Sequence, residues 1–588
     1  MLDFSRRTTL ALMGATALVS PVLAASDADD AFQKLSARWL DGYLRLQPVT
    51  ATQTGDHRFD GDIDDMSPAG RLARRQLWQG LLTELNALDR SKLSRDNQVD
   101  AAILANQLGY LIWDEDEQQS WAWDPQIYSA LAGNSLYLLV AREFAPLPVR
   151  IDAAISRMAR IPILFQQMRA ALILSRVPLI HAQTVAKQGG GVMEVVDSMI
   201  LPLAGTLDAK QQARLHDAAE TLRKACADQQ TWLDKTLVPS AKGEFRIGAK
   251  RFDAKLAFTL NSPMSRREIR AKADAAVIAV RAQMYEAARQ ALAGHAGTPP
   301  MPDAPSNDQQ QAVIQAALDI AYADRPARDK VVETAKRTLA DATDFVRQKD
   351  LITLPDAPVD VIIMPEFARG VAVAYCDPPG PLDKGMKTFY DVSPIPDDWT
   401  AEQTVSFLSE YNNRGIADVT VHEAMPGHYV QLWHSNACPS VLRAVLGSGS
   451  FVEGWAVYAE NLMAVEGFRN HDPLYRLVQL KVFLRTVVNA IIDQAIHVDG
   501  LSRDDVMKML TVTAFQAERE AAGKWVRAQL SSTQLSTYFV GRMEHDAMRA
   551  EAERRGGFAL KAYHDKVLSY GSAPSRYVRA LMFEEPIV

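Results

Sequence analysis

The strongest constraint on this chain is the helical periodicity that runs from about residue 27 to residue 347. Apolar residues recur at three- and four-residue spacing in the segments 31–45, 68–88, 149–174, 209–234 and 263–293. Ala, Leu, Gln, Arg and Glu dominate these segments, and these residue types favour helices. The pattern breaks at Gly189–Gly191 and within 294–307, which holds four prolines. It predicts a mainly α-helical protein.

The pattern changes between residues 351 and 392. The runs VDVIIMP (359–365) and GVAVAYC (370–376) are short, apolar and β-branched, and they predict a hairpin. GMKTFYDV (385–392) is a third candidate strand. Helical periodicity returns after Asp397. We therefore expect a large helical body of two lobes, 25–348 and 349–588, with a small antiparallel sheet at the start of the second.

Length and charge exclude several classes of protein. With 588 residues the chain is too long for a single small core, and 48% hydrophobic with 23% charged residues is ordinary globular usage. The formal charge of −7 argues against a nucleic-acid partner. Beyond the N-terminus no apolar run reaches the length of a membrane-spanning helix, which excludes a polytopic membrane protein. The sequence does not indicate an oligomeric state.

Residues 1–24 are predicted to be an export signal. The pair Arg6–Arg7 precedes an apolar stretch over 10–23, and small residues follow at a cleavage site. The basic start resembles a twin-arginine signal, with Thr9 where Phe is common. A general secretory signal is the alternative, and an uncleaved membrane anchor is a further one. We expect a mature chain from about Ala25, periplasmic or secreted, without stable membrane insertion.

The three cysteines are Cys226, Cys376 and Cys438. Their wide spacing forms no cysteine metal motif. Because no cysteine precedes Cys226, a lipid-anchored N-terminus is not expected. An odd number in an exported protein leaves at least one free thiol or intermolecular bond, and the sequence assigns these thiols no role.

One segment, DVTVHEAMPGHYVQ (418–431), carries the residues of a catalytic metal site. A His-Glu pair followed by a second His is typical of zinc peptidases, in which the imidazoles bind zinc and the Glu is the general base. The usual histidines are four residues apart and share a helix face. His422 and His428 are six apart, about 120° around an ideal helix.

The segment also contains the means to bring these histidines together. Pro426 cannot donate a helical hydrogen bond and clashes with the carbonyl of His422, while Gly427 tolerates unusual backbone angles. A break there would swing His428 back toward His422. We therefore predict both as zinc ligands and Glu423 as general base. The alternative is two unrelated histidines at a helix kink.

A catalytic zinc needs a third protein ligand. SFVEGWAVYAE (450–460) reads as a helix in which Glu453 and Glu460 share one face. Gly454 would allow another helix to approach Glu453 closely. We predict Glu453 as the ligand and Glu460 as the carboxylate that fixes a ligand histidine. Glu460 as ligand, or Glu453 as a solvated carboxylate, are the alternatives.

The motifs HExxPGH and EGWAxYxE resemble the bacterial family catalogued as domain of unknown function 885. Weaker matches at 48–60, 245–252 and 375–390 extend the resemblance over nearly the whole mature chain. The family is regarded as related to zinc peptidases of the gluzincin kind, largely helical, with two His and a downstream Glu as ligands. That implies a zincin-like fold and, again, His422, His428 and Glu453. Many members carry a further His where this chain has Tyr429.

The C-terminal stretch 527–542 resembles the family's late Gln-x-x-x-Tyr segment, with Phe539 where many members have Lys. From it we select Tyr538 as a donor to the reaction's oxyanion, although a structural tyrosine is an equal alternative. Arg527 or Arg542 would hold a substrate carboxylate, although most arginines on such helices are solvated or ion-paired.

These residues together predict an exported zinc metallopeptidase that hydrolyses short peptides by metal-activated water, with one Zn²⁺ per chain. The second hypothesis is a metallohydrolase of another amide or ester. The third is a non-catalytic helical protein that keeps the metal for structure. Co or Mn could also occupy such a ligand set.

Overall fold

Helices make up most of the computed structural model, which describes residues 27–357, 359–364 and 373–587. Before the sheet the helices are α1 Asp27–Leu46, α2 Pro48–Thr54, α3 Pro68–Ala87, α4 Arg95–Trp113, α5 Gln126–Val140, α6 Leu147–Ala171, α7 Leu179–Lys187, α8 Gly191–Val195, α9 Ala209–Trp232, α10 Val238–Ser240, α11 Gly248–Leu260, α12 Arg266–Leu292, α13 Asn307–Ala323 and α14 Val331–Lys349. After it they are α15 Ala401–Glu410, α16 Asn413–Glu423, α17 His428–Asn436, α18 Val441–Val445, α19 Gly449–Glu466, α20 Pro473–Gln494, α21 Arg503–Lys508, α22 Glu518–Leu530, α23 Ser536–Arg555, α24 Leu560–Ser569 and α25 Ser575–Phe583.

The mainly α-helical class is therefore confirmed. The export signal predicted over residues 1–24 lies outside the described part of the chain. Within that part, no helix is both long enough and apolar enough to cross a membrane.

Local sequence explains where several helices begin. Ser265 accepts a hydrogen bond from the backbone of Glu268, whose side chain accepts one from the backbone of Ser265 in return. Ser306 and Gln309 form the same capping box at the start of α13. These reciprocal bonds satisfy amides that have no partner inside the helix, and so they fix the first turn.

The sheet has three strands, β1 Asp360–Ile363, β2 Ala374–Asp377 and β3 Phe389–Val392. The strand order is β1-β3-β2, with β1 parallel and β2 antiparallel to β3. The predicted hairpin of the first two strands and the purely antiparallel sheet are therefore wrong. The most buried of the three strands, β3, takes the centre, where both of its edges are paired. Short apolar runs indicate strands but do not specify their partners.

Core packing links the helices on the two sides of residue 348. One core lies within residues 66–241, whereas Val280 of α12 and Leu318 of α13 share a core with Leu484 of α20. Helix α12 lies along α20, and α19 lies along α23. Packing is continuous from α12 into the C-terminal helices, and the division into lobes at residue 348 stays a prediction.

Candidate metal centre

A break between two helices places His428 beside His422. Helix α16 ends at Glu423 and α17 begins at His428, so residues 424–427 interrupt the helix. The peptide bond before Pro426 is cis. The predicted helix break is confirmed, and the two imidazole rings lie 4.7 Å apart, centroid to centroid, nearly perpendicular to each other.

The backbone at this break packs so tightly that position 427 has no room for a side chain. A Cβ atom at this position would stand 1.9 Å from the carbonyl oxygen of His422 and 2.3 Å from that of Val421. The Gly427 amide donates a hydrogen bond to Val421 O at 3.0 Å. From α19, Trp455 Nε1 donates to the carbonyl of Pro426 at 2.9 Å. The break is thus fastened to the helix that carries the third candidate ligand.

The three predicted ligands converge. Glu453 Oε2 lies 3.5 Å from Nε2 of His422 and 3.5 Å from Nε2 of His428. One ligand atom from each of the three residues lies within 4.8 Å of the other two. Two atoms bound to a tetrahedral zinc at about 2.1 Å would be about 3.4 Å apart. The spacing around Glu453 therefore suits a single small cation.

An unsatisfied carboxylate oxygen in this cluster also fits a metal. Within the described residues, Glu453 Oε2, which faces both imidazoles, is buried and forms no hydrogen bond. Burial alone would raise the pKa of Glu453, but the two neighbouring imidazoles lower it below its usual range. Two imidazole nitrogens and one carboxylate form a donor set typical of catalytic zinc.

Glu460 supports the cluster from behind. Its side chain is 2% exposed, and His422 Nδ1 donates to Glu460 Oε1 at 2.6 Å. In the neutral imidazole this bond keeps the proton on Nδ1, so Nε2, the nitrogen that faces Glu453, is the one that can bind a cation. The contact is the one predicted for a carboxylate that orients a ligand histidine.

Glu423 lies at the same centre and is held by the sheet. The backbone amide of Cys376, on the edge strand β2, donates to Glu423 Oε2 at 3.0 Å. Burial raises the pKa of Glu423, with a further contribution from the charge of Glu453, against the opposing effect of the two histidines. A carboxyl with a raised pKa is suited to accept and return a proton.

Tyr538 is brought toward Glu453 by the packing of α23 on α19. Its hydroxyl accepts hydrogen bonds from Arg527 Nη2 and from Gln534 Nε2, each at 3.2 Å. Because both partners are donors, the hydroxyl hydrogen of Tyr538 is left for a third group. Burial raises the pKa of Tyr538, and the charge of Glu453 raises it further.

The two predicted substrate arginines lie in different surroundings. Arg527 is exposed and donates to Gln534 Oε1 at 3.0 Å as well as to Tyr538. Arg542 is 6% exposed, and it donates to Val457 O at 2.9 Å and to Asp546 at 2.7 Å. The structure therefore brings Arg527 to Tyr538, whereas Arg542 bonds between helices.

Lys524, which the sequence patterns do not indicate, is a further basic residue of α22. It precedes Arg527 by one turn of α22 and is half-buried. Burial, followed by the charges of Arg485 and Arg527, lowers its pKa well below the usual value, while Glu520 and Glu453 act in the opposite direction. Its spacing from Arg527 was the available signal, but spacing does not indicate which helix face meets the site.

The fold and the site together define a class: a mainly helical protein in which a broken helix and a neighbouring helix hold a candidate metal centre. The chain belongs to the family described as "Bacterial protein of unknown function (DUF885)", which matches residues 48–582. The family membership indicated by the sequence motifs is thereby confirmed. No curated protein matches the chain.

Two solved structures are similar over nearly their whole length. A candidate lipoprotein of unknown function from Shewanella oneidensis is 31% identical, with a TM-score of 0.79, covering 94% of this chain and 99% of that one. A candidate lipoprotein from Colwellia psychrerythraea is 18% identical, with a TM-score of 0.76 and the same coverage. At 18% identity, the similarity to the second structure shows only a shared fold.

Proposed function

We propose that this protein is an exported zinc-dependent metallopeptidase of the gluzincin kind that hydrolyses short peptides. The observation that carries the proposal is the convergence of His422, His428 and Glu453, with Glu423 next to the first of them. A site that held metal only for structure would not need a carboxylate fixed beside it, as Glu423 is by the Cys376 amide.

In the proposed reaction, zinc when bound supplies Lewis acidity, which makes water more acidic and polarises the scissile carbonyl. Glu423 accepts the proton that the attacking water loses and delivers it to the leaving amine. The Cys376 amide holds Glu423 Oε2 in place through this transfer. Glu460 keeps His422 in one tautomer and orientation.

Tyr538 would stabilise the negative charge that develops on the former carbonyl oxygen. Arg527 and Gln534 donate to its oxygen, so its hydrogen is free to be donated to substrate. A donor that is already in position when charge develops lowers the barrier because no reorganisation is needed.

Metal content and turnover test the proposal together. The purified chain from residue 25 onward should bind about one zinc, and hydrolyse short peptides in a manner that chelation abolishes and zinc restores. Glu423→Gln should retain zinc and lose at least about 100-fold in rate, since it removes the proton acceptor and leaves the ligands intact. Glu402→Gln, an exposed glutamate in the first turn of α15, is the matched control and should keep full activity.

The same experiment distinguishes the alternative hypotheses. Hydrolysis of other amides or esters but not of peptides would indicate a metallohydrolase of a different substrate class. One bound zinc with no turnover on any amide would indicate a structural metal. Absence of zinc after reconstitution would contradict the metal centre itself.

Export is proposed on two grounds. Residues 1–24 have the composition of a signal peptide. The similar chains from Shewanella oneidensis and Colwellia psychrerythraea are described as candidate lipoproteins, a class of exported protein. N-terminal sequencing of the chain recovered from the periplasm would test the cleavage expected near Ala25, and an uncleaved cytoplasmic chain would contradict it.

A further inference from the structure

Two basic residues of α22 lie one turn apart, and one of them contacts Tyr538. Lys524 and Arg527 are three residues apart, so they share one helix face. Arg527 reaches the Tyr538 hydroxyl at 3.2 Å. Tyr538 belongs to α23, which packs along α19, the helix that carries Glu453.

Neither cation has an acidic partner in the described chain. Arg527 bonds to the neutral groups of Gln534 and Tyr538, and Lys524 forms no hydrogen bond or ion pair there. Glu520, one turn before Lys524, acts on it at longer range without forming an ion pair. The enclosed Lys481 is different, because its ammonium pairs with Glu410 at 2.7 Å.

Lys524 is half-buried without an ion pair, and a carboxylate supplied by the substrate would offset the cost of holding its ammonium there. The low pKa of Lys524 reflects the burial of its ammonium and the repulsion by Arg485 and Arg527. A carboxylate placed between Lys524 and Arg527 would restore the favourable charge balance and offer acceptors to both donors.

We propose that Lys524 and Arg527 bind a carboxylate of the substrate, so that the protein selects peptides with a negative charge close to the bond that is cut. This inference rests on the proposed peptidase function for the cleavage itself, but the carboxylate site can be tested by binding alone. The carboxylate has two sources, the C-terminus of a peptide or an acidic side chain.

Three probes separate these sources: N-acetyl-Ala-Ala-Ala, its C-terminal amide, and N-acetyl-Ala-Asp-Ala amide. Binding is measured by calorimetry to the zinc-loaded full mature chain carrying Glu423→Gln, which prevents turnover, and to the metal-free chain. At least one carboxylate probe should bind about 10- to 100-fold more tightly than the neutral amide. The probe that does so identifies the source.

Variants of α22 assign the preference to these residues. Lys524→Met and Arg527→Gln should each remove most of the preference, and Lys524→Arg should restore much of it. Lys336→Met, at an exposed lysine of α14, is the matched control and should leave it unchanged. Far-ultraviolet circular dichroism checks that each variant is folded.

Equal binding of all three probes would overturn the inference, and so would a preference that survives both Lys524→Met and Arg527→Gln. Failure of the proposed function gives a different result. If the wild type cleaves no peptide but prefers a carboxylate probe, the carboxylate site stands and the peptidase proposal fails. If it cleaves all three peptides equally, the peptidase proposal stands and the carboxylate site fails.

Discussion

Gly454 of α19 and Gly541 of α23 lie so close that a Cβ atom on Gly454 would stand 2.3 Å from the carbonyl carbon of Gly541. A Cβ atom on Gly541 would meet the carbonyl oxygen of Ser450 at 1.8 Å. The two helix backbones therefore touch one residue after Glu453 and three residues after Tyr538. This crossing sets the separation between a candidate metal ligand and the candidate oxyanion donor.

The first prediction follows from this contact. Gly454→Ala must force α19 and α23 apart, because the obstacle is backbone and not a flexible side chain. We expect a loss of roughly 1–3 kcal/mol in the free energy of unfolding, together with weaker zinc binding through displaced Glu453. Thermal unfolding and zinc titration measure the two effects.

Gly80→Ala on α3 is the control, because nothing lies within 4 Å of the new Cβ, and it should be neutral or slightly stabilising. Wild-type stability and zinc affinity in Gly454→Ala would contradict this prediction, because they would show that the crossing accommodates a methyl group.

The second prediction concerns metal-linked stability. Zinc that binds only the folded chain stabilises it by about 2.7 kcal/mol at a concentration 100 times its dissociation constant. We expect zinc to raise the Tm of the wild type and to have no such effect on His428→Ala. His216→Ala, at an exposed histidine of α9, should respond as the wild type does. An equal response in His428→Ala would place the stabilising zinc elsewhere.

The third prediction tests Tyr538 as the oxyanion donor. Tyr538→Phe removes the hydroxyl and keeps the ring, so kcat should fall by about 100-fold or more while KM and zinc content change little. Tyr570→Phe, on a half-buried tyrosine after α24, is the control and should keep its kcat. A normal kcat in Tyr538→Phe would leave this residue with a purely structural role.

The helices could be predicted from sequence periodicity, because the apolar residues of an amphipathic helix recur at helical spacing within the segment itself. The closure of His428 on His422 could also be expected, since Pro426 and Gly427 act within the same segment. Strand pairing could not, because the choice of β3 as the central strand depends on burial against distant helices.

The arginines and Lys524 show a second limit on what can be predicted from the sequence. Arg527 lies 11 residues before Tyr538 and contacts its hydroxyl, whereas Arg542, only 4 residues after Tyr538, bonds inside a helix interface. Which face of a helix meets a neighbour depends on contacts remote in sequence. For the same reason a role for Lys524 could not be predicted from its spacing alone.

The fourth prediction concerns the turn that leads into α23. Asp493 accepts hydrogen bonds from the amides of Thr533 and Ser536, at 2.9 Å and 3.1 Å. It thereby holds Thr533 at a φ of 69°, which is unfavourable for a β-branched residue. Asp493→Asn replaces one acceptor by a donor, so this turn should relax and Tyr538 should lose its position. We expect kcat to fall about tenfold with zinc content unchanged, because the ligands lie on other helices.

Asp504→Asn is the matched control for Asp493→Asn. The Asp504 side chain is 96% exposed on α21, and its replacement should leave kcat and zinc content as in the wild type. Normal turnover in Asp493→Asn would show that the turn keeps its shape without this carboxylate. Loss of zinc there would instead mean that the turn supports the ligands.

The last prediction is a dependence of stability on pH. Burial lowers the pKa of His545 and His564 to about 4, from 6.5. As the pH falls below about 6.5, these histidines become protonated in the unfolded chain, whereas in the folded chain they stay neutral until about pH 4. Each of these histidines therefore destabilises the folded state by up to about 3 kcal/mol across that window, with no effect above it. Asp124 and Asp391, whose pKa burial raises to about 6, act in the opposite direction.

The histidine contribution is thus best obtained as a difference between chains. His545→Gln can still donate to the Phe451 carbonyl, which His545 Nε2 contacts at 3.0 Å, but cannot be protonated. Urea unfolding between pH 7 and about 4 should show a shallower fall in the midpoint for His545→Gln than for the wild type. The His216→Gln variant is the control and should follow the wild type, since this side chain is exposed in the folded chain. Parallel midpoints for His545→Gln and the wild type would mean that His545 is protonated in the folded chain well above pH 4.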